Sequence, residues 1–143
     1  MARLMVSWVY GAMEVTVPDP YTVVLPLQPV TLRCRYETTA TTSPIVTWTY
    51  KSPCPGTGTG TSTGTGTTCP DTDRTVRIVA AKQGSAVTVG PFYQGRPITI
   101  VNEADLQLGP AAWGDGGSYV CSVASVEDLL GSSEATAELV VLG

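Results

Sequence analysis

The placing of Cys34, Trp48 and Cys121 restricts the fold of this chain more than any other feature. Trp48 lies on the strand-like run after Cys34. Cys121 ends a distant run reading Asp115–Gly116–Gly117–Ser118–Tyr119–Val120–Cys121. Successive side chains of an extended strand alternate between faces, so Tyr119 and Cys121 point the same way. A tyrosine held inward there needs a buried acceptor for its hydroxyl, and the backbone just upstream can supply one. Two sulfurs on distant strands with an indole beside them are the elements of two β-layers joined face to face.

The cysteines stand at positions 34, 54, 69 and 121. No C-x-x-C knuckle brings two thiolates together, and the chain has no histidine, so a zinc site is not expected. Two disulfides account for them better and imply an oxidising compartment. Four cysteines allow three pairings, and counting does not choose among them. The residues around them favour Cys34–Cys121 across the layers and Cys54–Cys69 as a local staple. In the chain-entropy model the first contributes roughly 4–5 kcal/mol and the second roughly 3, less if its loop stays mobile.

Strand signals run the length of the chain. Val15–Val17 stops at Pro18–Asp19–Pro20, and Tyr21–Leu25 at a bend over Pro26–Pro29. Val30–Tyr36 alternates apolar and polar. Ile45–Tyr50 places Val46, Trp48 and Tyr50 on one face. Thr75–Ala80, a turn at 82–85, Ala86–Val89, Ile98–Val101, Leu106 with Leu108, Ser118–Val123 and Thr136–Leu142 follow. About nine short strands with frequent Gly and Pro predict an all-β, immunoglobulin-like V-type sandwich over residues 14–143. Trp48, Tyr119 and Trp113 are expected in its core. Arg96 and Asp115 are expected to meet as a bidentate pair at its base, as in variable-type domains.

Two segments stand apart. Residues 1–13 are apolar with Arg3 near the start, and read as a clipped signal peptide or as an extension, tag or designed leader. Residues 53–70 alternate Gly and Thr between Cys54 and Cys69. Such a stretch has no apolar face and loses maximal backbone entropy on ordering, so it reads as a flexible loop, native or engineered. No run of 18 or more apolar residues is present, and a membrane anchor is not expected within this fragment.

A net charge of −4 argues against a nucleic-acid binder, which would need a cationic patch. Without histidine there is no His base, and no nucleophile stands beside a base. The nearest acid pair, Glu127–Asp128, reads as loop charge. No enzyme, cofactor or metal is expected. Asn102 is the sole asparagine and lies outside any sequon, which leaves the Thr-rich loop as the place for O-glycosylation.

From Val15 to Gly143 the chain resembles the angulin family. The resemblance is carried by QPVTLRC (28–34), PIVTWTYKS (44–52), RTVRIVAAKQGSAVTVG (74–90), YQGRPITI (93–100), ADLQL (104–108), WGDGGSYVCSV (113–123) and ELVVLG (138–143). The match leans toward the founding member, but the Gly–Thr loop departs from that member's longer, varied loop. The resemblance implies a type I membrane protein whose V-type domain faces outside at tricellular junctions and serves cell–cell adhesion. It further implies, for the founding member, ligands such as lipoprotein or a bacterial binary toxin.

With Trp48 inward, Ile45, Thr47 and Thr49 point outward, as do Val120 and Ser122 when Tyr119 and Cys121 point inward. These five are the expected protein-binding face, presumed homophilic, and Val120 with Ile45 is its exposed apolar patch. Leu129 and Leu130, in a loop with no strand to serve, are a second candidate contact. An antigen-receptor domain would carry a G-x-G bulge in its last strand, which SSEATAELVVLG lacks. A receptor domain for a soluble ligand is the other reading.

Overall fold

The computed structural model describes residues 13–38, 41–54, 69–125 and 132–143. Within them the chain forms β1 (Met13–Thr16), β2 (Tyr21–Val24), β3 (Pro29–Leu32), β4 (Arg35–Thr38), β5 (Ile45–Lys51) and β6 (Val76–Gln83). β7 (Ala86–Val89), β8 (Thr99–Val101), β9 (Asp105–Pro110), β10 (Gly117–Ala124) and β11 (Ser132–Val141) complete the set. One layer is a six-stranded sheet in the order β2-β11-β10-β5-β6-β7. The other contains β3-β9-β8 and the pair β1-β4. Only Arg33 and Cys34 separate β3 from β4, so these ladders are successive lengths of one strand path. The result is the expected sandwich.

The break at Cys34 has a cause. Its N–H leaves the ladder and donates to Asp105 Oδ1 at 3.0 Å, while its sulfur crosses to Cys121 on β10. Trp48 stands opposite Cys121 in the β5–β10 register, is fully buried, and donates its indole N–H to Ala104 C=O at 2.8 Å. The Tyr119 hydroxyl donates to Asp115 C=O at 2.6 Å. Burial pushes that hydroxyl far above its ordinary pKa, with the Asp115 carboxylate next in effect, so it stays a neutral donor. The expected tyrosine corner is present.

Alternation holds through β5, where Val46, Trp48 and Tyr50 are buried and the residues between them half-buried. It fails in β6. The register shifts from Trp48↔Ala80 to Thr49↔Ile78, so Val79 is an extra residue and both Val79 and Ala80 turn inward. Gly90 packs so close to the Ile78 carbonyl that no side chain fits. The turn expected over 82–85 is narrower, because Lys82 and Gln83 stay in β6 and Gly84 alone takes the left-handed conformation at φ 62°. The expected strand over 136–142 starts earlier, at Ser132.

Trp113 corrects the sequence reading. It is 64% exposed, on a 3-10 turn from Trp113 to Asp115, with its ring against Gly143. Three residues per turn point in three directions, and Asp115 takes the inward one.

Candidate interaction surface

The arrangement of strands gives the six-stranded sheet an outer face whose residues can be named from register. Across its middle lie Thr136 on β11, Val120 and Ser122 on β10, Thr47 and Thr49 on β5, and Ile78 on β6. None of these six carries a charge. Glu134 and Glu138 on β11 flank this band on one side, and Lys51 lies at its lower end.

Ile45, Thr47, Thr49 and Ser122 face outward and are half-buried. Val120 also faces outward, yet it is only 5% exposed, so the expected exposed Val120–Ile45 patch does not exist. Alternation states which side of a strand a residue takes, not how deeply its neighbours enclose it. Val120 sits mid-sheet between Thr49 and Thr136. The apolar exposure lies instead beyond β5, at Ile78 (53%) and Val76 (44%) on β6. Leu129 and Leu130, with Glu127 and Asp128, lie outside the described residues.

The lower end of this face carries a network that the sequence did not announce. Arg74 donates from Nε to Ser52 C=O at 2.7 Å and from a terminal nitrogen to Ser118 Oγ at 3.0 Å. Ser118 in turn donates to Glu138 Oε2 at 2.7 Å, and Lys51 pairs with Asp71 at 3.1 Å. Arg74 is thus tied both to Ser52, just past the end of β5, and to Ser118 on β10. Spacing could not reveal this, because three separate elements supply the partners.

Arg96 and Asp115 meet as expected, at 2.9 and 2.8 Å in a bidentate pair, with the Ala112 N–H donating to the same carboxylate at 2.8 Å. Both expected disulfides form. Further apolar exposure gathers along β2 and the sandwich base, at Tyr21, Val23, Leu25, Leu27, Trp113 and Leu142. In the sequence these positions read only as strand, bend and core residues.

Among the described residues no cluster of His, Cys, Asp or Glu could hold a metal ion. A concavity of about 260 Å³ beside β1 and β4 is lined by Glu14, Pro18, Arg35 and Tyr36, among others. It is smaller than the roughly 300–1,000 Å³ usual for small-molecule sites.

No family model matches the chain. It is 48% identical to the mouse lipolysis-stimulated lipoprotein receptor across 93% of its own residues, and 40% identical to human immunoglobulin-like domain-containing receptor 2 across all of them. The chain spans about a quarter (26%) of the length of each of these relatives. Among solved structures, domain 1 of VCBP3 from Branchiostoma floridae superposes with a TM-score of 0.65 at 21% identity, covering 92% of this chain and 96% of that one. At that identity the likeness speaks for the fold alone, a V-type immunoglobulin domain.

Proposed function

This chain is an immunoglobulin domain of the angulin family, and from that premise we propose that it is the extracellular recognition module of a cell-surface receptor, joining cells by binding a copy of itself. Two disulfides and receptor homologues support an extracellular ectodomain. Placement at a cell junction is part of the proposal.

The observation that carries it is the uncharged band on the outer face of β11, β10, β5 and β6. Charge is normally depleted at the core of an interface and gathered at its rim, which is how Glu134, Glu138 and Lys51 are disposed. Thr47 and Thr49 stand mid-band, and Ile78 adds an exposed apolar contact beside Thr49. A two-fold contact would use this one face on both copies.

Thr49→Arg places a charge in the centre of that band. In analytical ultracentrifugation the variant is expected to lose self-association that the wild-type chain shows. An unchanged monomer–dimer balance would count against the face.

One observation favours a second reading. The relatives at 48% identity include a lipoprotein receptor by name, so the same face could take a soluble particle. A pull-down of purified lipoproteins with the wild-type chain, compared with Thr49→Arg, separates ligand capture from adhesion. Capture by the wild-type chain that is lost in Thr49→Arg would favour this reading, and no capture by the wild-type chain would count against it.

A further inference from the structure

We infer that Cys54–Cys69 is a site of thiol–disulfide exchange, opened by a dithiol that attacks the Cys69 sulfur and expels Cys54 as the leaving thiolate. The inference stands apart from the outer-face contact and does not depend on it.

Access separates the two bridges. Exchange needs a thiolate to reach a sulfur in line with the bond that breaks. Cys34 is 2% exposed and Cys121 0%, between two layers and beside the fully buried Trp48. A thiolate reaches that pair only when the sheets part, which takes most of the free energy of unfolding. Cys54 and Cys69 are both partly exposed, outside every strand, and each adjoins an exposed proline, Pro53 or Pro70. Exposed disulfides are the readily exchanged ones.

One contact tells the two sulfurs apart. The Cys69 N–H donates to Cys54 Sγ at 3.3 Å. As the bond breaks, negative charge gathers on the departing sulfur. A hydrogen bond to that charged form lowers its pKa and speeds its departure. Cys54 receives the donor, so attack falls on Cys69. The acidic turn Asp71–Asp73 follows Cys69 and slows an anionic reagent, but Lys51 pairs with Asp71 at 3.1 Å and offsets part of that charge.

The exchange balances in two steps. One thiolate of the dithiol bonds to Cys69 Sγ. The Cys54–Cys69 bond breaks, and Cys54 leaves with the electron pair and takes up a proton. The second thiol of the reagent then gives up its proton and attacks the first reagent sulfur, closing the reagent's own disulfide. Cys69 departs as a thiolate and is protonated in turn. The dithiol is oxidised by two electrons and the bridge is reduced to two thiols.

The fold around the bridge does not depend on it. Ser52 N–H donates to Thr75 C=O at 2.9 Å, Thr75 N–H to Ser52 Oγ at 2.8 Å, and Arg74 Nε to Ser52 C=O at 2.7 Å. These bonds clasp the chain on both sides of the bridge, directly beyond the Lys51↔Val76 end of the β5–β6 ladder. Reduction therefore opens one covalent ring and leaves the sandwich closed. The clasp also chooses the reagent. It keeps the two cysteines tethered at a roughly millimolar effective concentration, so Cys54 re-forms the bridge faster than a dilute monothiol completes the exchange. A dithiol, of the kind a thiol oxidoreductase presents, competes because its second step is intramolecular as well.

The test treats the oxidised 143-residue chain with dithiothreitol in native buffer, traps thiols at intervals with iodoacetamide, and reads them by peptide mass spectrometry. Cys54 and Cys69 are expected to be alkylated about a thousandfold faster than Cys34 and Cys121, while the circular dichroism of the sheet persists. Brief exposure to glutathione, stopped with acid, is expected to leave the glutathionyl group on Cys69 and the free thiol on Cys54. Returned to neutral buffer without glutathione, that adduct should revert to the intact bridge. Alkylation of all four cysteines at one rate would overturn the inference, as would no labelling of Cys54 and Cys69 before the chain unfolds. An adduct on Cys54, an adduct that persists in neutral buffer, or loss of the sheet signal as the first pair is alkylated would each overturn it too.

Discussion

Arg96 grips Asp115 through two parallel N–H to O bonds at the base of the sandwich, where the carboxylate is nearly buried and the guanidinium about a quarter exposed. Burial by itself would raise the Asp115 pKa. The Arg96 guanidinium and the Ala112 N–H outweigh it and hold the carboxyl below the usual carboxylate value. A group whose pKa is lower folded than unfolded contributes stability above its unfolded value, near 3.9, and loses it as pH falls through the folded value. Asp115→Asn should cost about 2–3 kcal/mol at pH 7, because Arg96 is left without its partner. The gap between variant and wild type should narrow below about pH 4, as read from urea unfolding at a series of pH values.

The two disulfides should separate in their effects. Cys34 and Cys121 close a span of 87 residues across both layers, whereas Cys54 and Cys69 close one of 15 on a single side. Replacing the first pair by alanine should cost about 4–5 kcal/mol and the second no more than about 3. Guanidinium unfolding of the two double variants gives the order, and a reversed order would contradict the account of the core given above.

Leu27 occupies the left-handed region at φ 72° while its side chain is 79% exposed. Its N–H still donates to Ala111 C=O at 2.8 Å, so the turn is held by backbone and owes little to the leucine. Asparagine accepts this conformation more readily. Leu27→Asn should therefore stabilise the monomer by up to about 1 kcal/mol, a rise of about 3 °C in Tm by calorimetry in dilute solution.

Trp48 contributes both volume and a hydrogen bond. Phenylalanine in its place would leave Ala104 C=O without its 2.8 Å indole donor in a fully buried setting, and would leave a void beside the Cys34–Cys121 bridge. Trp48→Phe should cost about 2–4 kcal/mol in chemical denaturation.

Local pattern carried the architecture. Cys34, Trp48, Tyr119 and Cys121 could be assigned to a shared core from spacing alone, and the faces of β5 from period-two alternation, because both rest on chain geometry that neighbours do not alter. The Arg96–Asp115 pair was legible for a different reason, as part of a recurring V-type pattern. Depth was not. Val120 turns outward as alternation requires and is buried all the same, and Trp113 is exposed because the inward position of its turn goes to Asp115. The Arg74–Ser118–Glu138 network and the bulge at Val79 each depend on which strands end up adjacent. A sequence sets the side of a strand that each residue takes. Exposure and pairing arise only when distant strands meet.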